Sequence, residues 1–394
     1  MKGCGDGGGG GLPALASPPE NDDLLLEILL RLPPAPSSLP RASVVCKRWR
    51  RLVTDPGFLR RFRSRHRRSA PRLGFFTREP RGLSFTPTLE PPDRIPSSCL
   101  SSPVYNSYEW NILDCRHGLI LLLKRKRNPH LQLLVWDPVT GDLSCVDVPA
   151  RFGDRGNADH YQGAVLPAAG GDHGGGHPIP FMVVLVGFDD ELEEAAACVY
   201  SSENGVWGNP TILTLCSRMF PVGTPGALVG GSLYWVLFGD LTSVLQLDLD
   251  RHCLAVIDAP QGTPSYAHCL YRVVPLEGGV LGFLLLSGSS VQLWKWETDC
   301  DGVAGWVLGR TIEINNLLSQ PSTGIVGNMI FGFAEDDNVL FLRTSVGVFT
   351  IQLDSMVVGK FEGHTARFYS HYCHPFTSVY TAGMRILGGH EGSD

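Results

Sequence analysis

The chain has 394 residues, a formal net charge of −6, 43% hydrophobic residues, 46 glycines and 29 prolines. That length allows two or three domains, and the glycine and proline content points to a turn-rich, largely β body. Its longest apolar runs, 181–186 and 280–286, are far short of a membrane span, and its 11 cysteines include no Cys-x-x-Cys pair.

Residues 1–19 are rich in glycine and proline and are expected to form a disordered tail. Gly3-x-Gly5-x-x-Gly8 matches a dinucleotide fingerprint by letters, but no strand precedes it and no βαβ unit surrounds it, so it is rejected. No basic-then-apolar leader and no glycosylation sequon is present, which fits a reducing compartment, cytoplasmic or nuclear.

Residues 20–66 read as a small helical module. Asn21 to Asp23 offer capping groups, and Leu25, Ile28, Leu29 and Leu32 fall at i, i+3, i+4 and i+7 on one helix face. Pro33 and Pro34 stop that helix. Leu24, Leu26 and Leu30 lie off the face, so the helix is apolar on two sides and one of them needs an outside cover. Ser37 or Ser38 can cap a second segment, where Ala42, Val45, Cys46, Trp49 and Leu52 repeat with helical spacing. Asp55-Pro56 caps a third helix with Phe58, Leu59 and Phe62 on its apolar side. Ordering so few residues costs about 1.5 kcal/mol each, which offsets nearly all the burial such a module can supply, so it is expected to need a partner.

Residues 67–72 form a basic linker. From Arg41 to Arg72 there are twelve basic residues and one acidic, +11, which leaves −17 on the remainder. The run Arg60–Arg68 could contact nucleic acid or act as a nuclear signal, but it lacks interleaved aromatic platforms beyond Phe62 and reads better as a solvated, basic helix end.

From Arg72 onward short apolar runs alternate with Gly, Pro, Asp and Asn. Strands are predicted at 73–76, 119–123, 131–135, 143–148, 181–186, 198–200, 233–237, 244–249, 253–257, 280–286, 291–296, 306–314, 339–343 and 348–353. A strand, a strand ending near Asp, and a strand ending near Pro or Gly recur loosely, as in Leu131 to Pro149 and Gly231 to Pro260. Roughly 310 residues divided into four-stranded blades of 40–50 give six or seven blades of a propeller over 73–385, with a flexible tail at 386–394. A pair of packed sheets is the rival architecture. The runs at 73–76 and 377–382 are expected to share one blade and close the ring.

The first module resembles an F-box: Leu-x-Glu-Ile-Leu-x-Arg-Leu-Pro-Pro at 25–34, then Val-Cys-Lys-Arg-Trp-Arg-x-Leu-Val-x-Asp-Pro-x-Phe at 45–58. The family's usual Leu-Pro ahead of the first helix is replaced by Ser17-Pro18-Pro19-Glu20. The resemblance implies a helical unit that docks on the Skp-type adaptor of a cullin ubiquitin ligase. It places Leu24, Leu25, Ile28, Leu29, Leu32, Pro33, Val45, Trp49 and Leu52 at the adaptor or in the module's own core, without separating the two. The body resembles the kelch-like β-propeller of plant F-box proteins in Trp136-Asp137-Pro138-Val139-Thr140-Gly141, in 199–207 and in Gly230-Gly231-Ser232-Leu233-Tyr234-Trp235. The whole is thus expected to be α+β and multidomain, a helical F-box followed by an all-β propeller. The implied role is a non-catalytic substrate receptor: the F-box holds the adaptor and, through it, a cullin, and the propeller holds a target protein. A free-standing propeller scaffold and a propeller hydrolase are the alternatives.

Little in the body argues for chemistry of its own. The Ser202-x-Asn204-Gly205-x-Trp207 turn shapes a blade, and the arginines beyond Ser84 follow no recognisable spacing for a sialidase-like cluster. Glu193-Glu194 and Asp336-Asp337 are adjacent carboxylates that read as solvated turns. His173, His177, His371 and His374 do not complete a zinc set, and no cofactor, metal or membrane partner is expected. Leu29 is expected to face the adaptor, so that Leu29→Asp would abolish docking.

Overall fold

The computed structural model describes residues 22–80, 82–104, 109–124, 131–153, 160–168, 180–189, 191–265, 269–314, 328–361 and 372–381. The expected tails at 1–19 and 386–394, Asn21, His173, His177 and His371 lie outside the described residues. Helices α1 (Asp22–Leu29), α2 (Ser38–Ser43), α3 (Lys47–Thr54) and α4 (Pro56–His66) come first. Six antiparallel sheets follow.

β1 (Arg72–Glu79) and β2 (Gly82–Pro87) open the first blade. Blade two is β3 (Trp110–Arg116), β4 (Leu119–Lys124), β5 (Gln132–Trp136) and β6 (Leu143–Asp147). A short helix, α5 (Ala150–Gly153), leads to blade three: β7 (Tyr161–Pro167), β8 (Phe181–Asp189), β9 (Glu194–Ser201), β10 (Val206–Trp207) and β11 (Thr211–Thr214). Blade four holds β12 (Phe220–Pro221), β13 (Ala227–Val229), β14 (Ser232–Phe238), β15 (Ser243–Asp248) and β16 (Cys253–Asp258). Blade five is β17 (Tyr271–Leu276), β18 (Val280–Ser287), β19 (Ser290–Thr298) and β20 (Ala304–Glu313). Blade six is β21 (Met329–Ala334), β22 (Val339–Thr344), β23 (Gly347–Gln352) and β24 (Val358–Phe361), and β25 (Cys373–Thr377) returns to pair with β1. The fold is therefore a six-bladed propeller behind a helical module, and not a pair of packed sheets.

The alternation of side chains along a strand explains why the middle strands read as unbroken apolar runs. In β4, Ile120 and Leu122 join the core shared with blade one, and Leu121 and Leu123 join the core shared with blade three. In β8, Val183 and Leu185 face blade two while Val184 and Val186 face blade four. Polar clamps repeat on the outer rim. Trp207 Nε1 donates to Asp147 O at 2.7 Å and Trp306 Nε1 donates to Asp258 O at 2.6 Å, each tying a blade to the one before it.

Around the axis β25 touches β3, β3 touches β7, β13 touches β17, β17 touches β21, and β21 touches β25. Backbones crowd there. A Cβ on Gly332 would collide with Cys373 Sγ, and one on Gly163 would come within 2.8 Å of Val184 O.

Ring closure uses the expected first run but a different last one. β1 pairs with β25 from Arg72↔Thr377 to Thr77↔Cys373, so the closing strand is 373–377 and Pro375 lies inside it. The proline fits because the innermost strand has a free edge toward the axis, where no ladder partner needs its N–H. Phe376 is fully buried, 5.3 Å from the Phe76 ring.

The helical module differs from expectation in two ways. Its second segment is two helices with a turn at 44–46, which turns Val45 and Cys46 outward. The Ser37 hydroxyl accepts no capping hydrogen bond; its backbone N–H donates to Asp93 Oδ1 at 2.9 Å. Asp55 does cap α4, accepting from Phe58 N at 2.8 Å.

Nor is the module separate. Val379, just past β25, is 3% exposed inside the core formed by Leu25, Leu29, Phe58 and Phe62. The basic run is only partly a solvated end. Arg60, Arg65 and Arg68 are exposed, but Arg63 reaches a largely buried ion pair with Asp137 of the β5–β6 turn. Burial, with Arg63 adding, lowers the Arg67 pKa, while Asp137 opposes that shift. His117, between β3 and β4 at φ 53°, is pushed down to about 4 by burial, with Arg116 and Arg67 adding.

Two outcomes follow from this packing. Phe376→Ala leaves a cavity in the closing seam and is expected to cost about 3–5 kcal/mol, read as a lower urea midpoint with an unchanged slope. The depressed His117 stays neutral in the folded state while the unfolded chain takes up a proton below pH about 6.5. Its contribution is present above that pH and is lost as pH falls toward 4, by up to about 1.4 kcal/mol per pH unit. His117→Asn tolerates the positive φ. Stability measured from pH 7 to 4.5 should therefore fall less steeply in the variant; equal slopes would remove His117 as a contributor.

Candidate functional site: an apolar surface on the helical module and a charged axis

The module divides its apolar residues into two sets. Leu25, Leu29, Leu30, Leu39, Ala42, Leu52, Val53, Phe58, Leu59 and Phe62 form its core with Val379. Leu26, Leu32 and Trp49 pack against that core from its margin. The other set stands in solvent: Leu24 is 55% exposed, Ile28 43%, Val44 75% and Val45 57%, and Pro33 is also exposed.

The nine residues placed at the adaptor or in the module's own core thus separate. Leu24, Ile28, Pro33 and Val45 form the outward set, Leu25, Leu29 and Leu52 are interior, and Leu32 and Trp49 lie between. Leu29 faces its own core, so Leu29→Asp would place a charge in the module's interior rather than test a surface. Ile28 is not on the buried stripe assigned to it. α1 stops at Leu29, and over eight residues Leu25, Leu29 and Leu30 meet the neighbouring helices while Leu24 and Ile28, one turn apart, look outward.

Polar contacts hold this surface in place. Arg48 Nε donates to Asp22 Oδ1 at 2.7 Å, pinning the start of α3 to the start of α1. Leu24 and Val45 lie two and three residues from that pair. Arg61 Nη2 donates to Glu27 Oε1 at 2.8 Å, and His66 Nε2 lies 2.8 Å from Leu30 O. Val44, the most exposed of the set, was missed by sequence reasoning because the 44–46 turn carries no glycine or proline.

A second cluster lies along the propeller axis, and its members come from strands missing from the sequence-based assignment. Asp114 of β3 is buried and accepts from Cys115 N at 2.9 Å and Val165 N at 3.0 Å. Arg116 Nη2 donates to Gly226 O at 2.8 Å and to Glu335 Oε1 and Oε2 at 2.8 and 2.9 Å, so one guanidinium ties blades two, four and six. Burial works against the Arg116 charge, but Asp114, Glu335 and Asp336 outweigh it and raise its pKa. Burial raises both Asp114 and Glu335, with Arg116 opposing in each case. Arg272 of β17 is lowered by burial, with Glu335 the largest opposing influence. His374 of β25 is pushed down to about 3, by burial first and by Arg272 and Arg78 next, so it is neutral.

Two of the scattered arginines thus meet two carboxylates after all. Glu335 is engaged by Arg116, and Asp114 by two backbone N–H groups. This is a pin across the axis, and it leaves neither carboxylate free as a base. The signal in the sequence was a charge inside an apolar strand, as in Ile112-Leu113-Asp114 and Tyr271-Arg272-Val273. The adjacent carboxylates are not both solvated turns either: Asp337 pairs with Arg72 at 3.0 Å and Glu194 with Arg151 at 3.0 Å. A cleft of about 350 Å³ lies beside α5, lined by Arg151, Phe152, Tyr161, Asp189 and Glu194. Burial, with Asp189 adding, pushes Tyr161 in its wall up to about 12. Among the described residues no group of three His, Cys, Asp or Glu side chains could hold a metal ion.

Comparison with known proteins matches both parts of the chain. Residues 21–61 match the F-box domain, and residues 111–382 match the family described as "F-box protein AT5G49610-like, beta-propeller". An F-box protein of Arabidopsis thaliana, At5g03970, is 22% identical over 290 residues, which is 70% of this chain and 65% of that protein. The match therefore spans just under two thirds of the relative's length. Among solved structures, the Kuenenia stuttgartiensis hydrazine synthase aligns at 10% identity and a TM-score of 0.41, over 72% of this chain and 75% of that one. The Pseudomonas aeruginosa periplasmic gluconolactonase aligns at 13% and 0.40, over 74% and 81%. Both are too distant to carry anything further. The span of the family match, most of the propeller and more than half of the chain, shows that this protein belongs to the plant F-box proteins with a C-terminal β-propeller of the AT5G49610-like family.

Proposed function

We propose that the protein is the substrate-recognition subunit of a cullin-based ubiquitin ligase of the SCF type. The F-box binds a Skp-type adaptor, and through it a cullin, and the propeller binds a target protein. The subunit itself is non-catalytic: it works by proximity, holding the target where a charged ubiquitin-conjugating enzyme can reach it. The observation that carries this reading is the second apolar surface of the module. Leu24, Ile28, Val44 and Val45 remain exposed although the module's core is complete without them. Single exposed aliphatics are ordinary, but a group on adjoining helix ends marks an interface. Every cysteine among the described residues is free, which suits a ligase working in the reducing cytoplasm or nucleus.

Ile28→Asp puts a charge into the outward set without touching the core, so co-purification with a Skp-type adaptor should fall at least tenfold while the melting curve stays within about 1 kcal/mol of wild type. Leu29→Asp should lose adaptor and stability together. Adaptor capture by Ile28→Asp at the wild-type level would sink the docking assignment.

A further inference from the structure

We propose that the F-box and the propeller form one cooperative unit, in which the docking surface is formed only while the ring is closed. The inference starts from Val379. This residue follows β25 and fills the core of a module more than 300 residues earlier in the chain. It is placed there by closure itself. Arg72 pairs with Thr377 in the β1–β25 ladder, and Ser378 N donates to Pro71 O at 3.2 Å. Residues 71–72 and 377–379 therefore serve two junctions at once: the seam that closes the propeller, and the floor on which α1 and α4 sit.

Two polar attachments reinforce this. Asp93, in the connection from β2 to β3, holds Ser37 N, and Asp137 of blade two holds Arg63. Beneath them Arg72, the first residue of β1, pairs with Asp337 of blade six and braces the closing seam itself. The module is therefore held at two separate points as well as through Val379. Both members of the Arg63–Asp137 pair are largely buried. Such a pair is favourable only when both partners meet in the dry junction, because either one left buried alone keeps its full desolvation penalty. That makes the junction all-or-none rather than a sliding contact.

The module's size adds the last step. Its core has ten residues of its own and Val379 from the tail, too small a core to hold alone a fold of this length. The partner this module was expected to need is thus in part its own propeller. If the surface at Leu24, Ile28, Val44 and Val45 docks the adaptor, as the proposed function has it, a receptor with an open ring offers no formed surface and does not enter the ligase. The coupling itself does not depend on that reading.

The test uses hydrogen exchange on the full-length chain without adaptor. Leu25→Ala, in α1, is expected to speed exchange at least tenfold in β1 and β25 as well as in the helices. Val379→Ala, in the tail, is expected to speed exchange at least tenfold in α1 and α4. If Leu25→Ala accelerates the helices alone, or Val379→Ala leaves α1 and α4 at wild-type rates, the two parts are independent and the proposal is overturned. Adaptor capture by the wild-type chain, measured separately, tests the docking reading: failure there would remove that reading and leave the exchange result standing.

Discussion

The pairing of β1 with β25 is the contact on which the rest of the molecule depends. Every blade buries side chains on both faces, so every blade needs a neighbour on both sides. Five of the six seams are made between blades that follow one another from β3 to β24 or from β1 to β6. The remaining one, Phe75 with Phe331, Phe341 and Cys373, joins the two ends of the chain. Next to it, Phe76, Phe85 and Phe376 pack at ring distances of 5.1 to 6.4 Å. Without the β1–β25 ladder both aromatic clusters would face water. Because β1 directly follows the helices and Val379 directly follows β25, the same ladder also sets where the F-box sits.

What could be read from the sequence, and what could not, follows from where residues lie relative to the axis. The middle strands were legible because both faces are buried, and runs such as Leu119 to Leu123 or Phe181 to Val186 are apolar throughout. Several inner strands were not. β3, β7, β17 and β21 carry Asp114, Gln162, Arg272 and Gly332, residues that lower the apparent strand propensity. Convergence at the axis asks for those residues: little room for Cβ atoms, and polar groups that bridge blades. Pro375 misplaced the closing strand for a related reason, since a proline is a poor sign of a strand's end where that strand has a free edge.

The split charge of the chain also takes a physical form. The basic collar is not a free field. Arg48 meets Asp22 and Arg61 meets Glu27 within the helical module, Arg63 meets Asp137 across the junction, and Arg72 meets Asp337 across the closing seam of the propeller. Arg63 and Arg67 are four residues apart, on one face of the chain's helical path, and that face turns toward the propeller. Arg60, Arg65 and Arg68 face solvent. The spacing that separates these two sets was present in the sequence. A run of arginines hides it, because basic residues fall on every side of the helix and only the positions of the acids that answer them tell the faces apart.

These constraints combine at the F-box. Its helices carry more apolar surface than a four-helix unit can enclose, and the propeller covers only part of the excess. Val379 and Ala70 come in from the junction against the Leu25, Leu29 and Phe62 side. Leu24 and Ile28 lie one turn apart on the outward side of α1, and the Asp22–Arg48 pair brings the Val44–Val45 turn to the same end of the helix. A surface of this kind exposed to water is a standing cost unless something else takes it up. The junction is anchored at Asp93 and at Asp137 and contains a largely buried ion pair, so the outward surface cannot fold back onto the propeller without breaking that pair. The polypeptide thus holds its two apolar surfaces apart, one satisfied within the chain and the other kept available in a fixed orientation. That arrangement suits the proposed receptor role, in which one place would grip an adaptor and another would position a target.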